Sequence, residues 1–203
     1  VLVGQTDVLE AELARQGVGG LPVSIVHADE IITMHESPAD AVRRKRGSSI
    51  VVAAGLHKSG AVDGLVSAGN TGAVVASSLL GLGMLPNVRR PAIASFFPAL
   101  GEPAVVLDVG ASVDCRPSDL LEFAVMGSAY VQDVLERERP RVALMNVGEE
   151  PSKGNEVTQA AYKLIDGSPL NFIGNVEGRD LMTGAADVVV CDGFVGNVML
   201  KVI

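Results

Sequence analysis

Five times in this chain a strand-length apolar run gives way to Asn or Asp with glycine close by. Leu65–Ser67 leads into Ala68-Gly69-Asn70-Thr71-Gly72, and Val105–Leu107 into Asp108-Val109-Gly110-Ala111-Ser112. Val142–Met145 leads into Asn146-Val147-Gly148-Glu149-Glu150, and Phe172–Gly174 into Asn175-Val176-Glu177-Gly178-Arg179-Asp180. Val188–Cys191 leads into Asp192-Gly193-Phe194-Val195-Gly196-Asn197. In a parallel sheet the carboxyl ends of neighbouring strands share one edge, and ligands bind in the crevice outside it. Glycine there permits close backbone approach, and a following helix offers free N–H groups and a positive dipole end to an anion. Singly, such residues are ordinary turn formers. Repeated five times with the same polarity, they predict one polar-ligand cleft.

The rest of the sequence fits that frame. Further strand candidates are Val1–Val3, Val23–Val26 and Ala92–Phe97; Pro91 and Pro98 place the last near an edge or antiparallel. The other predicted strands are Leu65–Ser67, Ala104–Asp108, Arg141–Asn146, Leu170–Ile173 and Asp187–Cys191. Asp119 with Glu122 reads as a capped helix start before the stripe Leu120, Phe123, Ala124, Gly127, Val131 and Val134. Asn155 opens a second helix with Gly167 as its stop, and a third runs from Thr71 through Leu82. Strand–helix alternation predicts a three-layer α/β/α sandwich with a mostly parallel sheet. No internal repeat or linker is visible, so residues 1–203 are expected to form a single α/β domain.

Composition narrows the function. Hydrophobic residues make up 48% and aromatics only 3%, so the core must come from Val, Ile, Leu and Ala, as buried parallel strands require. The net charge of −8 opposes nucleic-acid binding, which needs a basic face. Cys115 and Cys191 show no metal spacing or disulfide density and read as packing residues in a reducing cytoplasm. His27, His35 and His57 stand apart, and no metal site is expected. Neither a Walker sequence nor a dinucleotide fingerprint occurs, so no nucleotide cofactor is expected. The uncharged stretch Leu65–Val88 is interrupted by polar residues, and its apolar part is too short to span a bilayer.

Three basic features admit two readings each. Lys153 precedes a helix start, where the dipole disfavours a cation; a bound phosphate would remove the conflict, and the alternative is a solvated loop lysine. Arg179 either neutralises an anion or pairs with Glu177 or Asp180. Arg43-Arg44-Lys45-Arg46 is either a solvated face or a dock for an acidic partner.

In order along the chain, Ser67–Ala73, Asp108–Ala111, Asn146–Glu150 with Lys153–Glu156, Gly174–Glu177 with Arg179-Asp180, and Asp192–Phe194 with Gly196–Val198 resemble the signature loops of the phosphate acyltransferases of bacterial phospholipid synthesis. Ala41–Lys45 and Ser48-Ser49 resemble that family as well. The resemblance implies a fold related to isocitrate and isopropylmalate dehydrogenases and to phosphotransacetylases. It implies transfer of a fatty acyl group from acyl carrier protein to inorganic phosphate, a homodimer, and a cytoplasmic protein with peripheral contact at the inner face of the membrane. The family's N-terminal strand with its Asp-x-Met-Gly-Gly-Asp loop and its C-terminal helices have no counterpart here, and Ser112 stands where the family usually has Asn.

On this footing Gly69, Asn70, Thr71, Gly72 and Lys153 are expected to hold phosphate. Asn146, Asn175 and Asn197 are candidate donors to phosphate or oxyanion; Asp108, Glu177, Arg179, Asp192 and Gly193 bind or orient, and Arg43, Arg44, Lys45 and Arg46 face the carrier protein. The alternatives are a phosphotransacetylase-like enzyme using a short acyl-CoA and a non-catalytic membrane-associated scaffold. A metal-dependent hydroxyacid dehydrogenase lacks counterparts for its Asp-rich metal site.

Overall fold

A computed structural model describes residues 1–18 and 20–202. The chain divides into two compact units, Val1–Leu85 and Pro86–Ile203. The boundary residues, Leu82-Gly83-Met84-Leu85-Pro86, have none of the polar composition by which a linker announces itself.

The first unit carries two short strands, β1 (Leu2–Gly4) and β2 (Ile25–His27), joined through helix α1 (Thr6–Gln16). They pair in parallel, Val3 opposite Val26. Gly17 ends α1 at φ 67°, a left-handed stop that glycine adopts without strain. Helices α2 (Pro38–Arg44), α3 (Ser49–Lys58) and α4 (Thr71–Gly81) follow and enclose a small core of Ile32, Ala41, Val42, Ile50 and Ala73. Leu65–Ser67, expected as a strand, is not one, and Val66 is fully exposed. Among the described residues no strand pairs with Leu65–Ser67, and without a partner no ladder forms.

The second unit carries β3 (Ala94–Phe97), β4 (Ala104–Leu107), α5 (Pro117–Val134), β5 (Arg141–Met145), α6 (Glu156–Asp166), β6 (Asn171–Val176), α7 (Gly178–Leu181), β7 (Val188–Val190) and α8 (Gly193–Leu200). Its sheet runs β3-β4-β7-β5-β6. Every neighbour is parallel except β3, the edge strand bracketed by prolines, which runs antiparallel to β4. Alternate strand residues point to opposite faces, as the pleat requires. Val105, Leu107, Val142, Leu144, Val188 and Val190 pack with α5 and α6. Ala104, Val106, Ala143, Met145, Val189 and Cys191 pack with α7 and α8. The three-layer α/β/α arrangement is therefore present in this unit.

Helix α5 buries the expected stripe of Leu120, Phe123, Ala124, Gly127 and Val131, whereas Val134 lies exposed at its end. Its start differs from the sequence reading. Pro117 is the first helical residue, and Asp119 is not the cap but the third helical position, accepting from the Arg116 N–H at 2.9 Å. Buried Asp119 is also flanked by Arg89 and Arg90, at 3.8 and 3.5 Å. Each fully buried Leu, Phe or Val on this face contributes about 1.5–3 kcal/mol of apolar transfer.

Close approach of α5 to the sheet depends on Gly127. A Cβ there would lie 2.6 Å from Val188 Cγ1 and 2.9 Å from Leu107 Cδ1. Gly127→Ala is expected to destabilise the unit by about 1–3 kcal/mol through overpacking, despite alanine's better helix propensity. A urea midpoint equal to or above wild type would contradict this packing.

Candidate functional site

Because β4, β7, β5 and β6 are parallel, the loops that follow them leave the same edge of the sheet. They then part. From β4 and β5 the chain turns to α5 and α6 on one face; from β7 and β6 it turns to α8 and α7 on the other. Neighbours β7 and β5 thus send their chains in opposite directions, as do β4 and β7, and β5 and β6; ligands of such sheets bind outside the carboxyl ends of the strands. Four of the five expected polar tips share this edge. The fifth, Gly69–Gly72, belongs to the first unit.

Asp108 organises the β4 tip. Its fully buried carboxylate accepts from the N–H groups of Ile93 (2.9 Å), Gly110 (3.1 Å) and Ala111 (3.0 Å) at Oδ1, and of Ser112 (2.6 Å) at Oδ2. Four donors leave this residue an orienting role, with no free capacity toward a ligand. Ser112 O then accepts from the Gly193 N–H at 2.8 Å, tying the β4 loop to the start of α8. A Cβ on Gly193 would come within 2.6 Å of Asp108 Oδ2, and one on Gly196 would run into the Asp108 carbonyl oxygen. These glycines serve backbone-to-backbone packing. Asp192 caps α8, accepting from the Val195 N–H at 2.8 Å, while Asn197 lies exposed one turn on, beside Gly110.

The β5 tip is braced by amides. Asn146 donates through Nδ2 to Lys153 O at 3.1 Å and accepts from the Val147 N–H at 2.8 Å. Asn175 lies inside β6 rather than after it. The ladder slips there: Val142 faces Phe172 but Leu144 faces Asn175, so Ala143 alone opposes both Ile173 and Gly174. Gly174, at φ 99°, absorbs the extra residue. The bulge brings Asn175 to the buried position that Gly174 would otherwise occupy, and its Nδ2 donates to Glu150 O at 2.9 Å. Its Oδ1 has no partner among the described residues. For Asn146 and Asn175, geometry favours bracing over donation to a substrate.

Lys153 stands exposed on this braced loop, 3.8 Å from Glu150 Oε1, and Asn155 caps α6 by accepting from the Thr158 N–H at 2.9 Å. Among the described residues, the N–H groups of Glu156 and Val157 have no partner. Arg179 sits 3.4–3.6 Å from Glu149, Glu177 and Asp180, so its charge is balanced within the loop cluster. Gln159 carries no signal in the apolar stripe of α6, yet it reaches back to the loop, donating to Ser152 O (2.7 Å) and Gly154 O (3.1 Å). What marks it is its place one turn inside a helix, where side chains lean toward the N-terminus.

In the first unit, Asn70 caps α4, accepting from the Ala73 N–H at 3.1 Å while donating to Thr33 O at 3.1 Å. Gly69 and Thr71 are exposed, and a Cβ on Gly72 would press on Pro38 at 2.6 Å. The basic cluster divides: Arg43, Arg44 and Arg46 are exposed, but Lys45 donates to Ile31 O and Glu36, each at 2.8 Å. A mainly apolar hollow of about 500 Å³ in this unit is lined by Leu9, Ile50, Leu56, Leu65 and Val66, with Ser49 and Ser67 at its wall, and presents no cationic side chain among its lining residues. Burial pushes the Cys115 thiol up to about 11 and that of Cys191 further still, so neither is a thiolate nucleophile near neutrality. Among the described residues, no group of three or more His, Cys, Asp or Glu could hold a metal, and no helix is long and apolar enough to cross a membrane.

The family model described as "Fatty acid synthesis protein" matches residues 1–203. This chain belongs to that family. A phosphate acyltransferase of Desulforamulus reducens is 53% identical across 99% of the chain, and one of Pelotomaculum thermopropionicum is 54% identical across 99%. The chain spans about 60% and 58% of those proteins' lengths. A phosphotransacetylase, EutD, from Staphylococcus aureus superposes with a TM-score of 0.68 at 17% identity, covering all of this chain and 72% of that one. A branched-chain phosphotransacylase from Enterococcus faecalis gives 0.53 at 14%, covering 99% and 83%. At those identities the structures establish a shared fold.

The Lys45–Glu36 pair yields a pH test. The Lys45 ammonium and the Thr33 N–H hold Glu36 at about 2, below its ordinary 4.5. A depressed carboxylate stabilises fully above its unfolded value and loses that contribution as pH falls through its folded one. The urea midpoint is expected to drop between pH 5 and pH 2.5, and Lys45→Met to flatten part of that drop. Equal slopes for both proteins would contradict the pairing.

Proposed function

We propose that this chain forms part of an acyltransferase that moves a fatty acyl group from acyl carrier protein to inorganic phosphate, giving an acyl phosphate for phospholipid synthesis. The observation that carries the proposal is the common edge at which the adjacent strands β7 and β5 end, the first followed by the capped start of α8 and the second by the Lys153 loop and the capped start of α6. The phosphate acyltransferase relatives, more than half identical along nearly the whole chain, support the same reading.

The chemistry asks for little beyond placement. Near neutrality phosphate is largely a dianion, so its oxygen attacks the thioester carbonyl without a strong base. The new C–O bond forms as the C–S bond breaks, and the phosphate's remaining proton leaves with the thiolate as a free thiol. Lys153 and the free N–H groups of Glu156 and Val157 supply positive potential for the dianion. Asn197 presents an exposed amide toward the carbonyl oxygen as it gains charge. Positioning contributes about 7–11 kcal/mol of such a barrier, and each preorganised oxyanion donor about 3–4. Arg43, Arg44 and Arg46 suit an acidic carrier protein, with Lys45 held back by Glu36. A homodimer, a cytoplasmic location and peripheral membrane contact complete the proposal.

In the full-length protein, Lys153→Ala is expected to raise the phosphate KM at least tenfold. Wild-type acyl-phosphate formation would end the assignment. The joint replacement Arg43→Glu/Arg44→Glu should raise KM for acyl carrier protein several-fold and leave the phosphate KM alone. Equal use of acyl-CoA and acyl carrier protein by wild type, with no effect of that replacement, would favour a phosphotransacetylase-like enzyme instead.

A further inference from the structure

Three successive carbonyls around Lys153 are each held by a side-chain amide. Gln159 Nε2 takes Ser152 O at 2.7 Å and Gly154 O at 3.1 Å, the two that flank the lysine, and Asn146 Nδ2 takes Lys153 O itself at 3.1 Å. Asn175 holds Glu150 O at 2.9 Å, one turn of the loop earlier. Both Gln159 partners are carbonyl oxygens, which fixes Nε2 as the group facing the loop. Exposed loop carbonyls need no such partners, since water satisfies them. Nor does α6 need Gln159 as a cap, because Asn155 already serves its N-terminus.

Gly154 closes the arrangement. It takes φ 86°, and the space a Cβ would fill is occupied by Thr158 Oγ1 and by Asn146 Oδ1 at 2.5 Å. The peptide planes on both sides of Lys153 are therefore set by groups anchored in α6 and β5, and only the lysine stem remains free to turn.

We propose that Gln159 is a positioning residue for the reaction: with Asn146 it clamps the backbone at Lys153 so that the ammonium is held where phosphate binds. This rests on the acyl-transfer reading above. Among the described residues the Gln159 amide bonds only to backbone carbonyls, and it acts through Lys153.

The test uses Gln159→Leu in the full-length protein, which keeps the side-chain volume and removes both donors. The phosphate KM is expected to rise roughly tenfold, as expected for a displaced binding group, with the acyl-donor KM and the melting temperature unchanged. The double variant Lys153→Ala/Gln159→Leu should match Lys153→Ala alone, because a clamp has no effect once the clamped charge is gone. Multiplying losses in the double variant, an equal rise in both KM values with a lower melting temperature, or no change in the single variant would each overturn the proposal. Were Lys153→Ala itself silent, the phosphate reading of the loop would fail and take the clamp with it. A response to Lys153→Ala without one to Gln159→Leu would remove the clamp alone.

Discussion

The carboxylate of Asp108 is the constraint on which the second unit's functional edge depends. A buried polar group with no partner is too costly to keep, and among the described residues no cation pairs with this one; four backbone N–H groups hold it instead. They come from two directions, Ile93 ahead of β3 and Gly110 to Ser112 after β4. One side chain thereby fixes the curl of the loop and the alignment of the antiparallel edge strand. Through Ser112 O and the two glycines of α8 the constraint passes to β7. Direct ligation by Asp108 would disassemble this scaffold.

Much of the edge was legible in the residues themselves. Apolar strands ending in Asn or Asp with glycine nearby predicted a shared rim, and β4, β5, β6 and β7 supply it. Asn70, Asn155 and Asp192 all cap helices, as short polar side chains just before a helix should. The prolines around β3 signalled an edge strand. Legibility failed where tertiary context decides. Leu65–Ser67 looks like its counterparts, yet a strand exists only where another strand pairs with it. Asp119 and Glu122 fit a capping box, but Pro117 two residues earlier is the better first helical residue. In Phe172-Ile173-Gly174-Asn175 the glycine permits a bulge but does not fix where the ladder slips, because a bulge is a property of two strands together.

The candidate donors show the same limit at the level of single side chains. Residue type predicted that Asn146, Asn175 and Asn197 carry hydrogen-bonding capacity to the rim; it could not say where that capacity is spent. Asn146 and Asn175 spend it on the loop, whereas Asn197 is exposed and has no side-chain partner among the described residues. Arg179, ringed by three carboxylates, likewise holds charge that its neighbours already balance. The division of labour follows burial: amides near the sheet brace, and those beyond it are left open. Gln159 belongs with the bracing set although it sits on a helix.

The bulge at Gly174 has a further consequence for how the molecule tolerates change. By slipping the register there, β6 fixes which side of the ribbon Asn175 faces, so deleting or inserting one residue between Phe172 and Asn175 would turn the amide outward and invert every later side chain of that strand. Ordinary drift in length, which surface loops absorb freely, is therefore closed to this short segment, and its spacing is as much a part of the site as any functional group.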